Sequence, residues 1–135
     1  MKYITPSFYV AEQLSLADLE ILSEQGIQHV ICNRPDNEGE GQIQSETISA
    51  AAQNLGMSFH LLPVLPGQFS DESIAEFGRL VKGLDGKVLA YCRTGTRSLS
   101  LWTLSNPEQK SRSELLSLAE SAGYNMSGLV DRVAE

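Results

Sequence analysis

The chain contains 135 residues, of which 41% are hydrophobic, and it carries a formal net charge of −7. Its length fits one domain, residues 1–135, with a substantial buried core. The acidic balance argues against nucleic acid and anionic membranes as partners, because both require a basic face. No apolar stretch is long enough to span a bilayer and no secretory signal is evident, so we expect a cytoplasmic protein with reduced thiols.

The first half of the chain alternates between strand and helix patterns. Residues 8–10 predict a short strand, and residues 15–25 predict a helix that Ser15 caps. An apolar, β-branched run at residues 29–33 is typical of a buried parallel strand. A polar loop over residues 34–41 follows, and a second helix is predicted over residues 45–56.

The second half continues the alternation. The predicted elements are a strand at 58–64, a helix from 70, a strand at 87–92, helices at 97–105 and 111–123, and a short turn at 128–133. Such alternation predicts an α/β fold, a three-layer, mainly parallel sheet with helices on both faces. Ligands bind beyond the carboxyl ends of the strands in such sheets, and Cys92 lies at one of these ends.

The segment after the last predicted strand carries the candidate chemistry. We call residues 92–98 the Cys92 loop: Cys92, Arg93, Thr94, Gly95, Thr96, Arg97 and Ser98. A turn at Gly95 followed by a helix would direct backbone N–H groups and a helix N-terminus at the sulfur. Both features stabilise negative charge, either on a bound anion or on the thiolate itself. Cys92 is therefore the candidate nucleophile, and the planar fork of Arg97 suits two anionic oxygens.

The remaining loop residues are expected to help bind the anion, with open alternatives. Arg93 is either a charge at the entrance that attracts anions or a solvated loop residue. Ser98 either donates its hydroxyl to the thiolate or caps the helix.

The Cys92 loop resembles the active-site loop of rhodanese-type sulfurtransferases and, more loosely, that of cysteine-dependent phosphatases. More widely, the chain resembles the beta-lactamase-hydrolase-like family, which has a dual-specificity-phosphatase-like fold. The matching segments are residues 7–10, 26–36, 62–64, 92–98, 101–102, 122–124 and 127–129. The resemblance implies a cysteine-phosphatase-like α/β fold, with Cys92 as the nucleophile and Arg97 as the anion binder. It also implies a persulfide-handling hydrolase as a candidate partner.

Two features favour sulfur transfer over phosphate hydrolysis. Only four residues separate Cys92 from Arg97, whereas phosphatases of this type have five, so a tighter cradle is expected. Residues 64–69, where the resemblance places a general acid, contain no Asp or Glu. We therefore expect a sulfurtransferase that forms a persulfide on Cys92 from a thiosulfate-like donor and passes the sulfur to a thiol or cyanide. The alternatives are a cysteine-dependent phosphatase acting on a phosphoester and a non-catalytic sensor of anions or persulfides.

Four further residues are accessory candidates. Arg34 and Asp36 follow the second predicted strand at its carboxyl end, and Asp71 opens the third helix. Asp36 and Asp71 are candidate substitutes for the missing acid, although neither lies where the resemblance places it. Cys32 is either a buried packing residue or a second thiol that exchanges sulfur with Cys92. No metal and no cofactor are expected, because the histidines and cysteines lack ligand spacing.

Overall fold

A computed structural model describes residues 1–133. The strands are β1 (Lys2–Thr5), β2 (Phe8–Ala11), β3 (Ile27–Cys32), β4 (Ser58–Leu61) and β5 (Lys87–Tyr91). The helices are α1 (Leu16–Glu24), α2 (Ser45–Asn54), α3 (Asp71–Gly83), α4 (Thr96–Ser105) and α5 (Arg112–Ser121), followed by a 3₁₀ turn at Val130–Arg132. Over this described range, no helix is long and apolar enough to cross a membrane.

The five strands form one sheet in the order β1-β2-β5-β3-β4. Strands β2, β5, β3 and β4 run parallel, and β1 pairs antiparallel with β2 at the edge. The mainly parallel sheet is confirmed, whereas β1 was not predicted. Residues Lys2 and Tyr3 of β1 are exposed, so this short edge strand lacks the apolar pattern that identifies the buried ones.

Helices cover both faces of the sheet, which confirms the three-layer architecture. Side chains of β5 alternate between the faces: Val88 and Ala90 join the core under α3, α4 and α5, and Leu89 and Tyr91 join the core under α1 and α2. Phe8 stacks on Trp102 of α4 at 5.3 Å in the first of these cores. The pair anchors α4, the helix that follows the Cys92 loop, to the sheet.

The ends of the elements follow local chemistry. Ser15 and Asp18 form the reciprocal capping box of α1, and Ser111 accepts a hydrogen bond from the Glu114 backbone at the start of α5. Strand β4 ends at Leu61 rather than residue 64 as predicted, and Pro63, which has no N–H to donate, follows it. Strand β5 ends at Tyr91, so Cys92 is the first residue beyond the central strand.

Candidate active site

Cys92 lies at the carboxyl end of the central strand, between the ends of β2 and β3. Its backbone N–H donates to the Ala11 carbonyl at 3.4 Å, and the Asn33 N–H donates to the carbonyl of the preceding residue, Tyr91, at 2.8 Å. The side chain is fully buried and the thiol is free. Both neighbouring strands therefore hold the backbone that presents the sulfur.

The Cys92 loop turns sharply at Gly95, which has a φ of +90° and is the N-cap of α4. The Gly95 N–H donates to Cys92 Sγ at 3.1 Å, so the turn aims a backbone donor at the sulfur as predicted. A Cβ at this position would overlap the Tyr124 hydroxyl. Glycine is required here both for its left-handed conformation and for its lack of a side chain.

Arg97 lies in the first turn of α4 with 7% of its surface exposed. Its Nη1 donates to Glu38 Oε2 at 2.8 Å and to the Val64 carbonyl at 3.1 Å, and its Nη2 donates to Glu38 Oε1 at 2.7 Å. The bonds to Glu38, and then the neighbouring Cys92 sulfur, raise the pKa of Arg97. The structure thus brings the two main predicted residues, Cys92 and Arg97, together.

Glu38 is a site residue that the sequence analysis missed. It lies in the loop after β3, and Gln42 Oε1 fixes this loop by accepting the N–H groups of Glu38 and Gly39, each at 3.0 Å. Its side chain keeps 21% of its surface exposed. The hydrogen bonds from Arg97, and secondarily that from Arg34, lower the pKa of Glu38 to about 2. The carboxylate is therefore ionised at neutral pH.

Arg34, a predicted accessory residue, reaches the site through Glu38. Its Nε donates to Glu38 Oε1 at 3.0 Å and its Nη1 donates to Gln13 Oε1 at 3.0 Å. Two guanidinium groups therefore share one carboxylate, which leaves one positive charge on the cluster. Together with the N-terminus of α4, this charge makes the surroundings of Cys92 attractive to an anion.

The other loop residues divide into exposed and buried members. Arg93, Thr94 and Thr96 are exposed, and the Thr94 hydroxyl donates to Thr96 Oγ1 at 3.0 Å. Ser98 is buried, and its hydroxyl donates to Asn33 Oδ1 at 2.8 Å rather than to Cys92. The hypothesis that Ser98 donates to the sulfur is wrong for this structure, because Asn33 at the end of β3 takes the hydrogen bond.

The two candidate acids are engaged elsewhere. Asp36 accepts the Ser45 backbone N–H at 2.7 Å and the Ser45 hydroxyl at 2.6 Å, so its carboxylate supports the start of α2. Asp71 is fully exposed and forms an ion pair with Arg132 at 3.6 Å rather than with Arg97. Neither carboxylate contacts Cys92 or Arg97 in the part of the chain that the structure describes.

Cys32 is the buried last residue of β3, and its thiol donates to the Arg34 carbonyl at 3.3 Å. Burial raises the pKa of this thiol, which makes it a poor nucleophile. Both cysteines are free. These observations agree with the packing interpretation of Cys32 rather than with sulfur exchange.

The chain is similar to known proteins over most of its length. A protein-family model described as "Beta-lactamase hydrolase-like protein, phosphatase-like domain" matches residues 1–109. The Beta-lactamase hydrolase-like protein of Agrobacterium fabrum is 30% identical over 119 residues, which make up 87% of this chain and 28% of that protein. The chain spans about a quarter of the length of the curated relatives that it matches.

Two solved structures share the fold. The crystal structure of a "putative phosphatase" from Neisseria meningitidis Z2491 has a TM-score of 0.86 and 33% identity, covering 97% of this chain and 94% of that chain. The kinase associated phosphatase, with its catalytic site cysteine substituted by serine, has a TM-score of 0.67 at 16% identity, covering 95% of this chain and 77% of that chain. The second likeness shows the fold alone.

The expectation of a sulfurtransferase is wrong. The matching family model describes a phosphatase-like domain, and the structural neighbour at 33% identity carries the description "putative phosphatase", so these findings favour the phosphatase alternative. They support neither a persulfide intermediate nor a persulfide-handling partner. That expectation depended on the short Cys-to-Arg spacing and on the missing acid in residues 64–69. Both are local features of loops, and they leave the strand–turn–helix arrangement of a cysteine phosphatase in place.

Proposed function

We propose that this chain, which belongs to the family described as Beta-lactamase hydrolase-like protein, phosphatase-like domain, is a cysteine-dependent phosphatase that hydrolyses phosphate esters. The observation that carries the proposal is the position of Cys92 Sγ. It accepts the Gly95 N–H at 3.1 Å at the start of α4, beside the guanidinium of Arg97. A nucleophile with anion-stabilising donors around it is what attack on a phosphoryl group requires.

In the proposed reaction, the Cys92 thiolate attacks phosphorus. A sulfur–phosphorus bond forms, the ester oxygen–phosphorus bond breaks, and the leaving oxygen departs as an anion that takes a proton from water. Water then attacks the cysteinyl phosphate, releasing inorganic phosphate and regenerating the thiol. No electrons are exchanged with another group, so the cycle needs only water and a reduced thiol, which suits the cytoplasm.

Arg97 and the Cys92 loop bind the phosphoryl oxygens in this scheme. The positive charge left on the Arg34–Glu38–Arg97 cluster draws the phosphate dianion to the site. Glu38 occupies the Nη1–Nη2 edge of Arg97, so the other edge, formed by Nε and Nη2, holds two of the phosphoryl oxygens. Arg93 is exposed on the loop and serves as the entrance charge for the incoming anion.

The hydrogen bonds of Asp36 and the ion pair of Asp71 indicate which class of phosphate ester is the substrate. Asp36 is bonded twice to Ser45 and Asp71 is paired with Arg132, so neither is placed to protonate a leaving oxygen. Aryl phosphates, whose phenolate leaving groups need less assistance than alkoxides, are therefore the expected substrates.

The test follows hydrolysis of para-nitrophenyl phosphate by the reduced protein and by Cys92→Ser and Cys32→Ser variants. We expect nitrophenol release that falls more than about 1000-fold in Cys92→Ser and persists in Cys32→Ser. Intact-mass spectrometry after rapid acid quenching should find one added phosphoryl group, and only where Cys92 is present. Binding of inorganic phosphate without any turnover of aryl phosphates would contradict the proposal.

A further inference from the structure

The peptide unit between Thr94 and Gly95 is held at both of its polar ends. Its N–H, on Gly95, donates to Cys92 Sγ at 3.1 Å. Its C=O, on Thr94, accepts the hydroxyl of Tyr124 at 2.8 Å. In a trans peptide these two groups point in opposite directions, and the described chain has no cis peptide. A bond to the carbonyl therefore determines where the N–H points.

Tyr124 comes from a part of the chain remote from the loop. It follows Gly123, whose φ of +90° ends the α5 segment, and its own N–H donates to the Ala119 carbonyl at 2.9 Å. The ammonium of Lys2, in the edge strand β1, lies 4.7 Å from the centroid of the Tyr124 ring. The backbone bond and the Lys2 contact thus both hold Tyr124 in place, and Tyr124 lies beyond residues 1–109 that the family model matches.

We propose that Tyr124 is a positioning residue for the reaction of Cys92, acting through the Thr94–Gly95 peptide. Its hydroxyl holds the Thr94 carbonyl outward, so that the Gly95 N–H stays aimed at the sulfur. The hydrogen bond from the Tyr124 hydroxyl to the Thr94 carbonyl also polarises the peptide. The Gly95 N–H therefore donates more strongly to the Cys92 thiolate. This inference deepens the proposed function and rests on it.

Three further observations fit this role. Burial, and then the nearby Cys92 and Glu12, raise the pKa of Tyr124, so the phenol remains a proton donor at neutral pH. The hydroxyl lies where a Cβ of residue 95 would be, so the contact is possible only because residue 95 is glycine. Thr94 itself is exposed, so its carbonyl would bond to water if Tyr124 were absent, and the peptide could rotate.

The test compares Tyr124→Phe with the unaltered chain. This variant keeps the ring and removes only the hydroxyl. The ultraviolet absorbance of the thiolate is measured as a function of pH. The same titration of each protein with Cys92→Ser added is subtracted, which isolates the signal of Cys92. The measurement needs no substrate and no thiol reagent that must reach the buried sulfur. We expect the midpoint of thiolate formation to move upward by about 0.5 to 1 pH unit, the equivalent of one ordinary hydrogen bond.

Kinetics supply the second readout. The kcat for para-nitrophenyl phosphate should fall about threefold to tenfold in Tyr124→Phe, with a smaller change in KM. Tyr9→Phe is the matched control, because the Tyr9 hydroxyl also donates to a carbonyl, that of Pro6 at 3.4 Å, away from the Cys92 loop. It should alter neither quantity.

The outcomes separate the two proposals. An unchanged thiolate midpoint in Tyr124→Phe would overturn the role of Tyr124, whatever the protein hydrolyses. A raised midpoint in a protein that hydrolyses no aryl phosphate would support the role of Tyr124 and contradict the proposed phosphatase.

Discussion

The carboxylate of Glu38 meets the guanidinium of Arg97 edge to edge, with Oε2 accepting from Nη1 at 2.8 Å and Oε1 accepting from Nη2 at 2.7 Å. The two residues lie 59 positions apart in the chain. The Val64 carbonyl accepts a third hydrogen bond from Arg97 at 3.1 Å. The charged end of Arg97 is therefore held before any substrate arrives, which is what preorganised stabilisation of a transition state requires.

Replacement of Glu38 tests this preorganisation. In Glu38→Gln the amide can accept from only one Arg97 nitrogen, because its other terminus is a donor. We expect kcat/KM for para-nitrophenyl phosphate to fall about tenfold and the free energy of unfolding to fall by about 1 to 3 kcal/mol. Urea unfolding and steady-state kinetics measure the two effects. Glu40→Gln, an exposed change in the same loop, should leave both unchanged. A faster Glu38→Gln variant would mean that Glu38 competes with substrate for Arg97.

The low pKa of Glu38 predicts a dependence of stability on pH. Because this pKa is lowered from 4.5 to about 2 in the folded state, the carboxylate contributes stability that is fully present above about pH 4.5. That contribution is lost as the pH falls from about 4.5 through about 2. The difference in unfolding free energy between the unaltered chain and Glu38→Gln should therefore be smaller at pH 2.5 than at pH 7, as followed by urea unfolding at each pH. An equal difference at both pH values would show that the ion pair contributes nothing.

Arg97 should not tolerate replacement by lysine. A single ammonium cannot donate along two parallel directions to two phosphoryl oxygens, or to both oxygens of Glu38. We expect Arg97→Lys to lower kcat/KM for para-nitrophenyl phosphate about 100-fold or more. Arg93→Lys makes the same chemical change on an exposed residue of the same loop and should have a small effect. Similar losses in the two variants would show that only the charge at these positions matters.

Gly95→Ala should disable the Cys92 loop. Alanine at a φ of +90° is strained by about 1 to 3 kcal/mol, and its Cβ would displace the Tyr124 hydroxyl. We expect a lower melting temperature and a loss of nitrophenol release that exceeds the loss in Tyr124→Phe. Gly67→Ala is the control for strain alone, because Gly67 has a φ of +74° with no atom near its would-be Cβ. If both variants lose only stability and keep full activity, the Tyr124 contact has no part in the reaction.

The local part of this site was accessible from the sequence. A strand that ends at Cys92, a turn at Gly95 and a helix from about Arg97 were all predicted from neighbours in the chain, and the structure agrees within one residue. The alternation of strands and helices also predicted the layered, mainly parallel sheet. The edge strand β1 was missed because its exposed residues carry no apolar pattern, and only pairing with β2 makes it a strand.

The choice between reactions was predicted wrongly from local features. Loop spacing and the absence of a nearby acid favoured sulfur transfer, but a reaction depends on the whole three-dimensional site, and the shared family and fold are phosphatase-like. The same limit applied to Ser98, whose hydroxyl could have reached the sulfur along the chain. Its actual partner is Asn33, from the end of a neighbouring strand.

The sequence by itself determined where Cys92, the turn at Gly95 and Arg97 lie relative to one another, because backbone conformation over a few residues follows from local sterics and hydrogen bonding. Only the tertiary structure decided what holds them. Glu38 bonds to Arg97, 59 positions away in the chain, and Tyr124 bonds to Thr94, 30 positions away, because the loop after β3 and the segment after α5 both pack beside the Cys92 loop. From the sequence alone, a carboxylate or a phenol in a polar segment is predicted to be solvated, because its partner in the folded chain is not known. Such partners depend on how strands and helices are arranged in space, and spacing along the chain does not encode that arrangement.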